Sequence, residues 1–259
     1  MCKFIKNLFK KPAPREKYAL FCGLNNYSQP GNELQGCIND NLKPALYYDF
    51  WFKPENIRIL TDDQATTQNV VDNLKWLVSH ENSELVYQNS SHGTYLPDQN
   101  GDEIDGYDEA LVTYDGLLID DVLGDIFDTI PESSFLTFIC DSCHSGTPSR
   151  SIQKGQVRFL NPSVPAKGQP KIIKKIGSRA AFNHVVISAC QDNQTAADAY
   201  IEGMWQGAFT YTLKQHLSPD KTWAQIYPDI LNTLKTNGFT QTPCLNGREI
   251  ETRPIFGGI

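Results

Sequence analysis

The sequence predicts an α/β fold built on a mostly parallel β-sheet. Short apolar runs alternate along the chain with segments whose apolar residues recur at helical spacing. Strands and helices that alternate in this way form parallel sheets, because each helix carries the chain back across a face of the sheet. The chain has 259 residues, 40% of them hydrophobic, so it can bury one large core, and we expect a single domain.

The first part of the chain predicts two strand–helix units. The apolar run 18–24 predicts a strand, and residues 37–51 predict a helix despite Pro44. Residues 57–60 predict the second strand, and Thr66 or Thr67 can cap the helix that follows. The apolar positions of that second helix have helical spacing: Val70, Leu74, Leu77 and Val78.

The later elements continue the alternation. Three further strands are predicted, at 85–87, 135–140 and 185–188. Three helices are predicted with them, at 121–129, 208–217 and 223–234. In open α/β sheets, functional sites form beyond the carboxyl ends of the strands, so the residues that follow each strand are the first to examine.

Residues 147–183 interrupt this alternation. They contain four prolines and no acidic residue, which predicts an exposed connection within one fold. We therefore expect a peptide chain with a basic N-terminal segment, 1–17, and one domain, 18–259, whose parts 18–146 and 184–259 flank the connection. The connection carries eight basic residues: Arg150, Lys154, Arg158, Lys167, Lys171, Lys174, Lys175 and Arg179.

Charge, cysteine usage and hydrophobicity argue against a nucleic-acid-binding protein, a disulfide-rich protein and a membrane-spanning protein. The net charge of −7 argues against nucleic-acid binding, which needs clustered Lys and Arg. The seven cysteines show no evenly spaced framework, which indicates a reducing cytoplasm. No apolar run is long enough to span a bilayer, although the basic residues 1–17 leave open a weak amphipathic contact with an acidic membrane, the alternative being a solvated terminus.

Two short motifs that follow predicted strands carry the candidate chemistry. SSHG (90–93) contains His92, and DSCHSG (141–146) contains Cys143. A thiol becomes a nucleophile as a thiolate, and a nearby imidazole is the usual acceptor of its proton. Small neighbouring residues leave room for a substrate backbone. We therefore predict Cys143 as nucleophile and His92 as base, whereas His144 projects away from the adjacent thiol.

The wider sequence resembles the metacaspases and their prokaryotic relatives. The similarity extends over most of the chain in seven segments: ALFCGLNNY (19–27), LQGCIND (34–40), SSHGT (90–94), DGYDEAL (105–111), DSCHSG (141–146), ISACQDNQTAADA (187–199) and GAFTYTL (207–213). The spacing of about 50 residues between His92 and Cys143 is also that of caspases. The resemblance implies a caspase-type α/β/α sandwich and peptide hydrolysis through a thioester on Cys143. It also implies an oxyanion site near Gly93 and Cys143.

The resemblance further implies a substrate pocket for a basic side chain. Asp40 and Asp141 match the metacaspase positions that bind Arg or Lys before the cut bond, with Cys37 and Ser90 as neighbours. Two carboxylates suit a guanidinium, so we expect cleavage after Arg in preference to Lys. The alternative is structural: Asp40 caps its helix and Asp141 ends a strand. The basic connection is an expected self-cleavage site, and the expected partners are protein or peptide substrates of a monomeric enzyme.

Calcium is the one expected cofactor, as an activator rather than a participant in the chemistry. The acidic stretch 97–111 offers hard oxygen ligands, and the resemblance points to Asp108, Asp120 and Asp121 as ligands. A further acidic ligand expected after the nucleophile motif is missing, since Arg150 stands near its place. The alternative is a solvated acidic loop.

Two other functions remain open from the sequence. Cys140 and Cys143 form a CxxC pair after a strand, the arrangement of a thiol–disulfide redox site. A zinc site is not expected, because no second Cys or His pair stands at ligand spacing. The chain could also be an inactive caspase-like scaffold that binds partners, although such proteins usually lack the nucleophile or the base, and both are present here.

Overall fold

The structure, a computed structural model, describes residues 15–97, 107–143, 155–160, 183–191 and 194–258. The strands are β1 (Glu16–Gly23), β2 (Ile57–Thr61), β3 (Ser83–Ser90), β4 (Gly93–Pro97), β5 (Tyr107–Val112), β6 (Leu117–Ile119), β7 (Phe135–Asp141), β8 (Gly155–Val157), β9 (His184–Ser188), β10 (Ala197–Ile201), β11 (Met204–Gly207) and β12 (Cys244–Gly247). The α-helices are α1 (Lys43–Tyr48), α2 (Thr67–Val78), α3 (Asp120–Phe127), α4 (Ala208–His216) and α5 (Trp223–Thr236).

Six strands form the central sheet, in the order β12-β9-β7-β3-β1-β2. Neighbouring strands run parallel except for β12, which is antiparallel to β9 at the edge. Every residue of β3 and β7 is buried, as expected for central strands of a sheet covered on both faces. The predicted α/β fold with a mostly parallel sheet is therefore confirmed.

Helices cover the two faces of this sheet and create two cores. Apolar residues of α2 and α3, among them Leu74 and Leu123, pack on one face. Residues of α1, α4 and α5, among them Leu46, Phe209 and Ile230, pack on the other. The result is a three-layer α/β/α sandwich. Within the described ranges, no helix has the length and apolar character needed to cross a membrane.

Most predicted elements are present, but the helix predicted at 37–51 is wrong in extent. It is divided into a 3-10 turn, Ile38–Asp40, and the short helix α1. Pro44 lies in the first turn of α1, where its missing N–H costs no intrahelical hydrogen bond. The predicted cap of α2 is confirmed, since the Thr66 side chain accepts a hydrogen bond from the Asn69 N–H at 3.3 Å.

Two small antiparallel sheets, β4-β5-β6 and β11-β10-β8, were not predicted from the sequence. Their strands are three to six residues long, too short for a clear alternating pattern. β4 begins directly beyond the carboxyl end of β3, and β8 brings residues of the 147–183 connection alongside β10. Both small sheets therefore lie next to the residues that follow the central strands.

Candidate active site

The central strands β3 and β7 bring His92 and Cys143 to the same edge of the sheet. These strands pair in parallel up to Ser90 opposite Asp141, so His92 and Cys143 each lie two residues beyond a matched pair. The turns after the strands are joined by Asn89, whose Nδ2 donates to the hydroxyls of Ser91 and Ser142 at 2.9 and 3.1 Å. Parallel pairing thus places the two candidate residues at the same edge of the sheet.

The imidazole of His92 is oriented for proton acceptance through Nδ1. Nε2 lies 2.9 Å from the carbonyl oxygen of Asn32, and because a carbonyl only accepts, Nε2 carries the proton. Nδ1 is buried and has no hydrogen-bond partner among the described residues. Burial lowers the pKa of His92 to about 4, although the hydrogen bond with Asn32 opposes this shift. The ring is therefore neutral at pH 7, with a lone pair on Nδ1.

The thiol of Cys143 is fully buried and lies against the backbone of Ala196. Its Sγ accepts a hydrogen bond from the Ala196 N–H and lies 3.6 Å from the carbonyl oxygen of the same residue. Cys190 is a second thiol nearby. A hydrogen bond with Cys143, together with burial, raises the pKa of Cys190, so Cys190 stays protonated. The thiol of Cys143 therefore lies among hydrogen-bonding groups from the chain that follows β9.

Two backbone N–H groups next to these side chains converge on one oxygen. The N–H of Gly93 and the N–H of Cys143 both donate to the carbonyl oxygen of Arg158, at 3.0 and 3.2 Å. Paired backbone donors around one carbonyl oxygen are the arrangement that stabilises negative charge in acyl transfer. The predicted oxyanion residues are thus brought together, and a carbonyl of this chain lies between them.

The side chain of Arg158 fills a buried acidic pocket. Its exposure is 0%, and its guanidinium contacts three carboxylates. Nη1 lies 2.6 Å from Asp40 and 3.1 Å from Asp141, while Nη2 lies 2.9 Å from Asp198. Nη1 is also 3.2 Å from the carbonyl oxygen of Asp141. The pocket binds both terminal nitrogens of a guanidinium at once.

Backbone donors hold the three carboxylates in place. Asp40 accepts a hydrogen bond from the Gly207 N–H at 2.8 Å. Asp141 accepts from the N–H of Thr210 at 3.1 Å and from its hydroxyl at 2.6 Å. Asp198 accepts from the N–H groups of Gln35 and Gly36 at 2.8 and 3.0 Å. Burial raises the pKa of Asp40 to about 6, Asp141 adds to the rise, and Arg158 and Lys214 oppose it. An empty pocket would leave these carboxylates without their main counter-charge.

Glycine is required at two positions in the pocket wall. A Cβ at Gly36 would overlap the Asp198 carboxylate and the backbone of Gln206. A Cβ at Gly207 would overlap the Asp141 carboxylate and crowd Nη1 of Arg158. A side chain at either position would therefore displace a carboxylate that binds Arg158.

The remaining predicted pocket residues lie close by. Cys37 is buried beside the charged cluster, and burial raises its pKa well above the usual range. Ser90 is buried at the end of β3, opposite Asp141. Sequence reasoning missed Asp198 as a pocket residue. Its position within the segment 187–199 was noted, but the strand β10 that carries it was not predicted, so nothing indicated where its carboxylate points.

Within the described part of the chain, the predicted calcium ligands Asp108, Asp120 and Asp121 do not form a group that could hold a metal ion. Asp108 is buried on β5, whereas Asp120 and Asp121 begin α3, where consecutive side chains diverge by about 100°. In the part of the chain that the structure describes, no three His, Cys, Asp or Glu side chains form a group that could hold a metal. Residues 98–106 lie outside that part, and calcium stays a prediction.

The CxxC alternative has little support in the geometry. Cys140 belongs to the core that packs on α2 and α3, whereas Cys143 belongs to the core on the opposite face of the sheet. The two residues are not joined in a disulfide, and burial raises the pKa of Cys140 to about 12. A buried, protonated thiol on the other face is a poor partner for disulfide exchange.

Comparison with known proteins supplies the family context. Residues 17–149 match the family model described as metacaspase, peptidase C14 domain. Metacaspase-1 of Schizosaccharomyces pombe is 31% identical over 89% of this chain and 67% of its own length. Metacaspase-1 of Yarrowia lipolytica is 33% identical over 85% of this chain and 58% of its own length. The chain thus spans about three fifths to two thirds of these relatives.

Solved structures show the same fold. A crystal structure of a Geobacter sulfurreducens protein superimposes with a TM-score of 0.72 at 23% identity, covering 94% of this chain and 99% of that one. Caspase-1 from Spodoptera frugiperda superimposes with a TM-score of 0.63 at 13% identity, covering 96% of both chains. The predicted caspase-type sandwich is therefore confirmed.

Proposed function

Because this chain belongs to the metacaspase family of caspase-like cysteine peptidases, we propose that it is an endopeptidase that cuts peptide bonds after Arg, and less readily after Lys. One observation carries this proposal. The acidic pocket around Asp40, Asp141 and Asp198 holds the guanidinium of Arg158. The backbone carbonyl oxygen of the same arginine accepts hydrogen bonds from the N–H groups of Gly93 and Cys143. A substrate arginine bound in the same way would present its carbonyl carbon beside the thiol.

The mechanism follows from the groups around that carbonyl. His92 accepts the thiol proton of Cys143 on Nδ1, and the thiolate attacks the carbonyl carbon. The two backbone N–H groups stabilise the oxyanion of the tetrahedral intermediate. The imidazolium then gives its proton to the leaving nitrogen, which leaves a thioester on Cys143. Water, deprotonated by His92, hydrolyses the thioester and restores the thiol.

Burial leaves the His92 imidazole in the neutral form that the first step of this mechanism requires. A neutral imidazole can accept a proton, and burial keeps His92 neutral at pH 7. The hydrogen bond from Nε2 to the carbonyl oxygen of Asn32 supports the positive charge that develops on the ring. Asn32 therefore acts as a positioning residue, since it fixes the tautomer and the ring orientation without touching the substrate.

Preference for Arg over Lys is supported by the spread of the carboxylates. Two of them contact Nη1 and the third contacts Nη2, so the pocket uses both ends of a planar group. A lysine ammonium is a single point charge and cannot reach all three positions at once. Three buried carboxylates also reject a substrate with Asp before the cut bond.

We also propose self-cleavage, activation by calcium, and a monomeric state in the cytoplasm, and these proposals are based on the sequence. Self-cleavage within the 147–183 connection follows from its basic residues and from the proposed specificity. Calcium activation through Asp108, Asp120 and Asp121 depends on the resemblance to calcium-activated metacaspases. When bound, calcium would supply positive charge that orders carboxylates, with no part in bond cleavage. Action as a monomer in the cytoplasm completes the proposal.

A panel of fluorogenic tetrapeptides tests the proposed function. The series acetyl-Gly-Gln-Val-X, with X as Arg, Lys, Ala or Asp, copies residues 155–157 and varies only the residue before the cut bond. We expect hydrolysis of the Arg peptide, slower hydrolysis of the Lys peptide and none of the Asp peptide. Cys143→Ala is the matched control. Cleavage after Asp, or Arg hydrolysis that persists in Cys143→Ala, would overturn the proposal.

A further inference from the structure

Residues 155–160 cross the active site, with strand β8 before a bend at Arg158. Before Arg158, strand β8 pairs antiparallel with β10, with Val157 opposite Ala197, and the Arg158 N–H donates to the carbonyl of Ala196 at 3.2 Å. After Arg158, the Leu160 N–H donates to the carbonyl of Gly93 at 2.9 Å. Backbone hydrogen bonds therefore hold this segment on both sides of one residue, the mode by which peptides add to a sheet edge.

Arg158 makes both contacts that the proposed mechanism requires of a substrate. Its guanidinium fills the acidic pocket, and its carbonyl oxygen lies between the N–H groups of Gly93 and Cys143. The bond that follows this carbonyl joins Arg158 to Phe159. We propose that residues 155–160 are the built-in first substrate of the enzyme, that Arg158–Phe159 is the bond it cuts in itself, and that the uncut segment blocks the site. This inference rests on the proposed function.

The uncut segment blocks the active site because it already occupies the positions that a substrate would need. Arg158 is 0% exposed, and each of the three carboxylates is already paired with it. A substrate arginine cannot enter until Arg158 leaves. The strand position on β10 that would bind the residues before the cut bond is also occupied, by β8. Uncut protein therefore excludes a competing peptide from the pocket and from the adjoining strand.

The residues after Arg158 have their own binding surface. The ring of Phe159 stacks on Tyr95 with centroids 5.9 Å apart. The hydroxyl of Thr94 donates to the carbonyl of Leu160 at 2.9 Å, and Leu160 packs on the core of the β4-β5-β6 sheet. The cut divides the segment into two short halves, one on β10 and one on β4. After the cut, each half keeps only part of the contacts that the intact segment makes. Cleavage therefore favours the release of both halves from the active site.

The chemistry balances without any added reactant except water. The Cys143 sulfur forms a bond to the carbonyl carbon of Arg158, and the bond from that carbon to the Phe159 nitrogen breaks. The thiol proton passes through His92 to the Phe159 nitrogen. Water then cleaves the thioester, which leaves a carboxylate on Arg158 and restores the thiol of Cys143. No group is oxidised or reduced.

A purely structural role for Arg158 is the competing explanation. In that case the guanidinium neutralises the buried carboxylates permanently, and the segment is neither cut nor displaced. The two explanations differ in what happens to the Arg158–Phe159 bond and to added substrate. They can be separated by one variant that prevents the cut without removing Arg158.

Phe159→Pro is that variant. The Phe159 N–H takes no part in the pairing with Gly93, which uses the Arg158 carbonyl and the Leu160 N–H. Proline makes the bond after Arg158 a tertiary amide, which peptidases cleave poorly, and it restricts the backbone of Arg158 to the β or polyproline II region. Because the variant retains Arg158, we expect its guanidinium to keep the contacts with Asp40, Asp141 and Asp198. Phe159→Pro should therefore stay uncut and blocked.

The experiment compares wild type, Cys143→Ala, Phe159→Pro, Arg158→Ala and the control Lys154→Ala, each as the full chain. Intact-mass spectrometry follows self-cleavage, and hydrolysis of acetyl-Gly-Gln-Val-Arg fluorogenic peptide is recorded over time. We expect wild type and Lys154→Ala to yield fragments 1–158 and 159–259 and to gain peptidase activity as they do so. Cys143→Ala and Phe159→Pro should not be cut at this bond.

Peptide hydrolysis then tests the block. Arg158→Ala should be active without a lag, and Phe159→Pro should be about tenfold or more slower than Arg158→Ala, because a tethered competitor acts at millimolar effective concentration. If Arg158→Ala fails to fold, the double variant Phe159→Pro with Arg158→Gln replaces it. Equal rates in the open variant and Phe159→Pro would overturn the block, and a wild-type cut at another bond would overturn the assignment.

The outcomes also separate this inference from the proposed function. If the peptide is hydrolysed in a Cys143-dependent way while the Arg158–Phe159 bond stays intact in wild type, the proposed function stands and the built-in substrate is excluded. If neither wild type nor the open variants hydrolyse the Arg peptide, the proposed function fails as well.

Discussion

The backbone N–H of Cys143 donates to the carbonyl oxygen of Arg158 across 3.2 Å. The proposed nucleophile and the arginine that fills the proposed specificity pocket are thus joined by the hydrogen bond that would stabilise an oxyanion. This relationship links two segments that sequence analysis treated separately, the DSCHSG motif and the basic connection.

Cys143 and His92 should each be essential for peptidase activity. Cys143→Ala removes the nucleophile and His92→Ala removes Nδ1, so we expect kcat/KM on the Arg peptide to fall by roughly 10³-fold or more. Circular dichroism and thermal unfolding check that the fold is retained. Cys140→Ala is the matched control, because Cys140 lies in the core on the other face of the sheet. Equal loss in Cys140→Ala would favour the redox alternative.

Asp198 should be as important to the pocket as the two predicted carboxylates. Asp198→Asn keeps the side-chain size but removes the charge 2.9 Å from Nη2, so kcat/KM for Arg peptides should fall by about 10- to 100-fold. The Lys peptide should lose less, since an ammonium does not span both positions. Asp229→Asn on the exposed surface of α5 is the control. An unchanged ratio of Arg to Lys hydrolysis would remove Asp198 from the pocket.

The pH dependence of kcat/KM should report Asp40 on its acidic side. Burial raises the pKa of Asp40 to about 6, so this carboxylate loses its charge, and the pocket loses affinity for arginine, as the pH falls through that range. The pKa of His92 is lowered to about 4, so the base stays neutral well below pH 6. Asp40→Asn should therefore be weaker and flatter between pH 5 and pH 7, values that bracket about 6. A decline that persists in Asp40→Asn would assign it to His92 instead.

Calcium should activate the enzyme if Asp108, Asp120 and Asp121 act as ligands. We expect about millimolar calcium to raise the rate of self-cleavage and the double variant Asp120→Asn with Asp121→Asn to blunt that response, because carboxylate charge sets calcium affinity. Magnesium at the same concentration is the control for ionic strength. Full activity in chelator, with no response to added calcium, would leave these residues as parts of the fold.

Local sequence patterns predicted the central sheet well. The strands β1, β2, β7 and β9 are apolar runs bounded by polar residues, and the helices α2 and α5 place their apolar residues on one face. These patterns depend only on which side chains must be buried, so they can be seen without the tertiary structure. The strands of the two small sheets were missed because they are three to six residues long, too short for a clear alternating pattern.

In the candidate site too, some residues could be predicted from the sequence and others could not. SSHG and DSCHSG were recognisable because each follows a predicted strand, and parallel strands end at one edge of a sheet. The role of Asp198 was not recognisable, since it depends on β10 reaching a pocket built from residues 35–40 and 207–210. Arg158 counted only as one of eight basic residues in a proline-rich segment.

The sequence by itself therefore determined the fold class and the family, and it predicted the pair Cys143 and His92, because these depend on local patterns and on short segments in order. Only the tertiary structure decided which carboxylates share the pocket and which arginine fills it. The reason is physical: an ion pair depends on the distance between charges in space, and Arg158 lies 118 positions from Asp40 and 40 from Asp198. Folding brings those charges within 3 Å, and no local pattern encodes that distance.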